Sequence, residues 1–113
     1  MLRGKIKMGT SISRYDTYEE CLGTLRRLKA RDSTVLPILE HEKAHFEKAL
    51  ELGYNPQYGI HMIVDCPPAI LAGFVDFKGR VPEGQDMMDI LLAPEQPGED
   101  DLKLVEEIKG EGK

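Results

Sequence analysis

Residues 32–53 read Asp32-Ser33-Thr34-Val35-Leu36-Pro37-Ile38-Leu39-Glu40-His41-Glu42-Lys43-Ala44-His45-Phe46-Glu47-Lys48-Ala49-Leu50-Glu51-Leu52-Gly53. Asp32, Ser33 and Thr34 are helix-capping residue types, and Pro37 is expected within the first turn, where its missing N–H costs little. Gly53, followed by Pro56, is the punctuation of a helix end near Leu52. At about 100° per residue, Val35, Ile38, Leu39, Phe46, Ala49 and Leu50 form one apolar arc, with Glu40, Glu47 and Glu51 opposite. Glu42 falls near the centre of that arc, and His41 and His45 lie along one edge. A carboxylate in a buried stripe is costly unless it is paired or working.

The segment His41-Glu42-Lys43-Ala44-His45 supplies a reason. Positions i and i+4 of a helix lie one above the other, so His41 and His45 can reach one metal ion from neighbouring turns. Glu42 is displaced around the helix and can approach a water held by the metal without being a ligand. Zinc lowers the pKa of such a water toward ~7, and a carboxylate can then take its proton as general base.

Working outward, Thr17-Tyr18-Glu19-Glu20 fits a capping box. Tyr18, Cys21, Leu22, Leu25 and Leu28 continue at helical spacing to about Arg31. Residues 3–13 are expected to form a short strand. Downstream the period changes to that of a strand. Tyr58, Ile60, Met62 and Val64 alternate with Gly59, His61, Ile63 and Asp65, Cys66-Pro67-Pro68 turns the chain, and residues 70–78 return as a second strand. A third strand is expected over Met87–Leu92. Glu99-Asp100-Asp101 place acids at the start of a last helix that ends near Lys109. The expected fold is α+β: two N-terminal helices, the second carrying the HExxH segment, a small antiparallel β-meander and a C-terminal helix.

With 113 residues, of which 41% are hydrophobic, the chain is the size of one domain with a real core. No apolar run is long enough to span a bilayer, and Met1–Lys7 is not followed by the apolar stretch of a signal peptide. Both point to a soluble, cytoplasmic protein with no membrane insertion. The net charge of −5 argues against nucleic acid as the partner. The basic cluster Arg26, Arg27, Lys29 and Arg31 reads as a solvated helix end. Two cysteines, Cys21 and Cys66, are too few for a disulfide framework. The sequence leaves both a monomer and a homodimer open.

On His41, Glu42, His45 and their helical context, the chain resembles the HExxH zinc metallopeptidases, the zincins. In length and α+β layout it is most similar to the small soluble minigluzincins. The resemblance implies that His41 and His45 bind zinc, that Glu42 is the general base or acid, and that a third protein ligand follows on a later helix, usually a glutamate. It also implies a C-terminal segment able to block the cleft, as in a zymogen. The chain departs from the pattern in Lys43, directly after the glutamate, and in Glu47, where an apolar or small residue is usual. Six residues beyond His45 stands Glu51, so a third histidine at that spacing is absent.

For the third ligand, Glu106 or Glu107 matches the gluzincin pattern, with Glu106 favoured. Asp101 points toward the apolar side of the last helix, near Leu102, Val105 and Ile108. His61 projects from the first hairpin strand, opposite Ile60 and Met62, and could ligate metal or stabilise an oxyanion. The expected function is a zinc-dependent metallopeptidase acting on peptides or unfolded polypeptides, in which Glu42 activates the attacking water. The alternative is a non-catalytic metal-binding or protein-interaction domain. A di-iron reading of Glu42 and His45 lacks the second ExxH and the four facing helices it would need.

Overall fold

The computed structural model describes residues 10–63 and 69–111. Their order is β1 (Thr10–Tyr15), α1 (Tyr18–Arg27), α2 (Asp32–Glu51), β2 (Pro56–Ile63), β3 (Ala69–Phe77), α3 (Gly84–Leu91) and α4 (Glu99–Glu111). The class is α+β, as the periodicities imply.

Local chemistry sets the helix ends. Thr17 caps α1, its hydroxyl accepting from the Glu20 amide at 3.1 Å, while the Glu20 carboxylate accepts from the Asp16 amide at 3.0 Å. The reciprocal arm thus reaches one residue further back than a capping box does. α2 begins one residue earlier than its capping residues suggest: Arg31 is the N-cap and makes no side-chain cap bond. Pro37 accordingly lies inside the helix rather than in its first turn. Its missing amide would have bonded the Ser33 carbonyl, which sits in an exposed turn where water can replace that bond. α2 ends in a Schellman pair, Tyr54 N–H to Ala49 C=O and Gly53 N–H to Leu50 C=O, both 3.0 Å, with Gly53 at φ 91°.

Among the described residues the sheet is antiparallel, in the order β1-β2-β3. Ile12 pairs with His61 and His61 with Ala72, which sets the register. Tyr58, Ile60 and Met62 of β2 turn inward, and the core gathers them with Cys21 and Leu25 of α1 and Val35, Leu39 and Phe46 of α2. The Phe46 and Tyr58 rings stack at 4.3 Å and 7°, fixing α2 across the sheet. Burial of Cys21 pushes its thiol pKa up to about 12, so it behaves as a small apolar residue. A smaller core joins Ala49, Tyr54 and Ile90. Leu50, expected in the buried arc, is 52% exposed, because the arc closes on His45 and Ala49 instead.

Two strand assignments change. Met87–Leu92 is not a strand. Gly84–Leu91 is a helix, whose Ile90 and Leu91 are buried. The third strand of the sheet is instead Thr10–Tyr15, from the N-terminal side. The remainder of the expected 3–13 strand and the Cys66-Pro67-Pro68 turn lie outside the described residues. No helix among the described residues is long and apolar enough to cross a membrane.

Candidate metal centre

His45 is the buried anchor of the site, 5% exposed in mid-α2. Its Nδ1–H donates to the Ile90 carbonyl of α3 at 2.7 Å, which leaves the lone pair on Nε2. One turn earlier, His41 places its own Nε2 3.2 Å from that atom. The third group comes from α4. Asp101 Oδ2 lies 3.1 Å from His41 Nε2 and 3.3 Å from His45 Nε2. A proton on His41 Nε2 can be shared with Asp101 Oδ2 and His45 Nε2, but it leaves those two acceptors facing each other at 3.3 Å. An ion at their centre bonds all three.

The triangle has the right size for that ion. Bonds of about 2.0–2.1 Å to a tetrahedral centre separate ligand atoms by about 3.3–3.4 Å, against the observed 3.1, 3.2 and 3.3 Å. The backbone carbonyl behind His45 is the usual outer partner of a metal-binding imidazole, fixing both tautomer and ring orientation. His41, His45 and Asp101 could therefore hold a metal ion.

Asp101 has a second duty. Its Oδ2 accepts the Gly98 amide at 2.9 Å, three residues back. This is the acidic arm of a capping box at the start of α4. The helix-start role expected from its position is therefore met by the same atom that faces the histidines.

Glu42 occupies the fourth side. Among the described residues its carboxylate has no hydrogen-bond partner, and it packs along β3. Burial raises its pKa above the ordinary carboxylate range; His45 and His41 oppose the shift and Asp101 adds to it. Gly73 makes room for this approach. A Cβ there would lie 2.5 Å from Ile38 Cγ2 and 3.2 Å from Glu42 Cγ. Gly73→Ala is therefore expected to lose about 1–3 kcal/mol in denaturant unfolding, because the Ile38 side chain must leave its place or α2 must shift. Gly110→Ala, with nothing within 4 Å of its Cβ position, is the control and should be neutral or stabilising.

The three groups open onto a cleft of about 640 Å³. Gly73, Phe74, Val75 and Phe77 of β3 form one wall, Met87, Ile90 and Leu91 of α3 another, and Gly98–Asp101 with Leu104 a third. Lys43, the charged departure within HExxH, turns away, its ammonium 5.2 Å from the centroid of the Tyr18 ring. It leaves the cleft unobstructed.

Of the residues expected as a third ligand, Asp101 and not Glu106 stands beside the histidines. Glu106 is 76% exposed and pairs with Lys109 at 3.8 Å, away from the histidines. Asp101 and buried Val105 are four apart on α4 and share its inward face, whereas Glu106 is rotated by one residue. Glu107 is likewise exposed. His61 is half-buried in β2, on the sheet face opposite Tyr58, Ile60 and Met62, and does not line the cleft. The parts missed in the sequence are Gly73 and the Ile90 carbonyl. A glycine inside the apolar strand Ala69–Phe77 is a signal of close backbone approach. The carbonyl leaves no side-chain signature.

No family model, curated protein or solved structure matches the chain.

Proposed function

We propose that the chain is a zinc-dependent metallopeptidase, with His41, His45 and Asp101 as ligands and Glu42 as general base. The observation that carries this reading is the closed triangle of two Nε2 atoms and one carboxylate oxygen, beside a carboxylate that is not part of it. Two imidazoles and one carboxylate are a donor set suited to zinc, and three protein ligands leave a position open, as hydrolytic zinc sites do. A zinc ion held there supplies Lewis-acid polarisation of a peptide carbonyl and makes a water acidic near neutral pH.

The chain's own residues do the rest. Glu42, its carboxylate disfavoured as an anion by burial, accepts the proton of the attacking water and returns it to the leaving amine. His45 is held in one tautomer by the Ile90 carbonyl, which turns its Nε2 lone pair toward the site. β3, which among the described residues pairs on one side only, offers its other edge to an extended segment along the cleft. Phe77, Met87 and Leu104 give the walls apolar surface for the flanking side chains. Substrates are then peptides or unfolded chains, since a folded domain presents no free strand.

The test is hydrolysis of a fluorogenic peptide library by protein loaded with one zinc per chain. Activity should vanish on chelation and return with zinc. A zinc-loaded protein that cleaves nothing, in this form and with residues after Pro94 removed, would leave a metal-binding domain without peptidase function.

A further inference from the structure

α4 docks on the body through α3 and through Asp101. None of its side chains belongs to either hydrophobic core among the described residues. Val105 is buried, but Leu102 and Leu104 are 48% and 45% exposed. Among the described residues, the polar contacts that tie α4 to the rest of the chain are those of Asp101 with His41 and His45. α4 packs on α3 through Val105 and the half-buried Ile108, a small apolar contact to set against the entropy of docking a helix of this length. A proton on His41 Nε2 makes its own contact with Asp101 attractive, but the His45 Nε2 lone pair still faces the Asp101 oxygen at 3.3 Å, and a cation among the three atoms relieves that repulsion.

From this we infer that the metal ion is the latch of the C-terminal helix. A divalent cation held by His41, His45 and Asp101 docks α4, and the metal-free protein keeps its helix–sheet body while releasing residues 99–111. This rests on the metal-site reading above, not on peptidase activity. The ion closes a loop of 60 residues between its ligands, and the binding free energy becomes docking free energy. The consequence is regulatory. Gly98–Asp101 and Leu104 form a wall of the cleft, so the walled cleft exists only in the metal-loaded protein. Metal uptake and assembly of the binding surface are then one event.

Amide hydrogen exchange of the full chain, stripped with a chelator and then titrated with zinc, tests this. At free zinc about a hundred times its dissociation constant, linkage gives about a hundredfold slower exchange for α4 amides beyond the first turn. Peptides from α2 and β2 should be protected in both states. Asp101→Asn keeps an oxygen to accept the Gly98 amide and loses the charge. Its α4 should stay fast-exchanging at zinc levels that latch the wild type. Stoichiometric zinc with equal α4 protection before and after loading would overturn the latch and leave the metal site standing. A chain that takes up no zinc would overturn both.

Discussion

Glu42→Gln should retain zinc at the wild-type ratio and lose peptide hydrolysis by about 10²–10⁴-fold, the usual worth of a positioned general base. The ligand triangle is complete without Glu42, so the substitution removes no metal contact. Glutamine matches the shape that packs along Gly73 but cannot accept the proton of water. A second readout separates this from a merely structural role. Burial is the main reason the Glu42 pKa is raised, so the folded state holds that proton more tightly than the unfolded chain. The sign follows by linkage: this residue favours folding below its unfolded pKa, and that contribution is lost as pH rises through the folded value. In the metal-free protein at neutral pH, Glu42→Gln should therefore melt at a higher temperature than the wild type. An inactive variant that is also more stable is the pattern of a residue kept for chemistry. Full turnover by zinc-loaded Glu42→Gln would falsify the general-base assignment.

His45→Ala should take bound zinc from near one per chain to near zero, measured by elemental analysis after zinc incubation and desalting. It should also destabilise the metal-free protein. The Ile90 carbonyl loses the His45 donor while keeping the Ala93 amide at 3.2 Å, and a cavity opens between α2 and α3, together worth about 1–3 kcal/mol. His41→Ala is the informative companion. Its side chain is 31% exposed and supports no buried carbonyl, so it should lose zinc at little cost in metal-free stability. Retention of a full zinc complement by His45→Ala would mean that HExxH spacing alone misled the assignment.

The contrast between these histidines shows what the amino-acid order could and could not convey. Helical periodicity placed His41, Glu42 and His45 on one stretch of α2, and the structure keeps all three at the cleft. The i, i+4 rule is local, so it survives any tertiary arrangement. The third ligand depends on how α4 docks, a non-local quantity. The phase of α4 offered one clue, since Asp101 and Val105 share a face. Glu106 was favoured by resemblance and lies on a solvated side. The Met87–Leu92 error has a similar cause. Met87, Ile90 and Leu91 fit helical spacing, yet a short apolar run bounded by loops also fits a strand, and periodicity alone cannot decide at that length. The strand partner had to come from Thr10–Tyr15, whose outward Ile12 and Arg14 weaken the alternation expected of a buried edge.

Asp101 Oδ2 accepts from Gly98 and faces both histidines, so the beginning of α4 and the candidate metal centre share one atom. That sharing makes the centre sensitive to chain length at one place. A residue inserted between Gly98 and Asp101 turns the carboxylate by about 100° around the helix and removes cap and ligand together. A residue inserted a few positions earlier, at exposed Glu95 or Gln96, leaves the three-residue interval intact. The connector can therefore vary in length before Pro97 while the spacing from Gly98 to Asp101 is fixed, and a graft or tag belongs before Pro97.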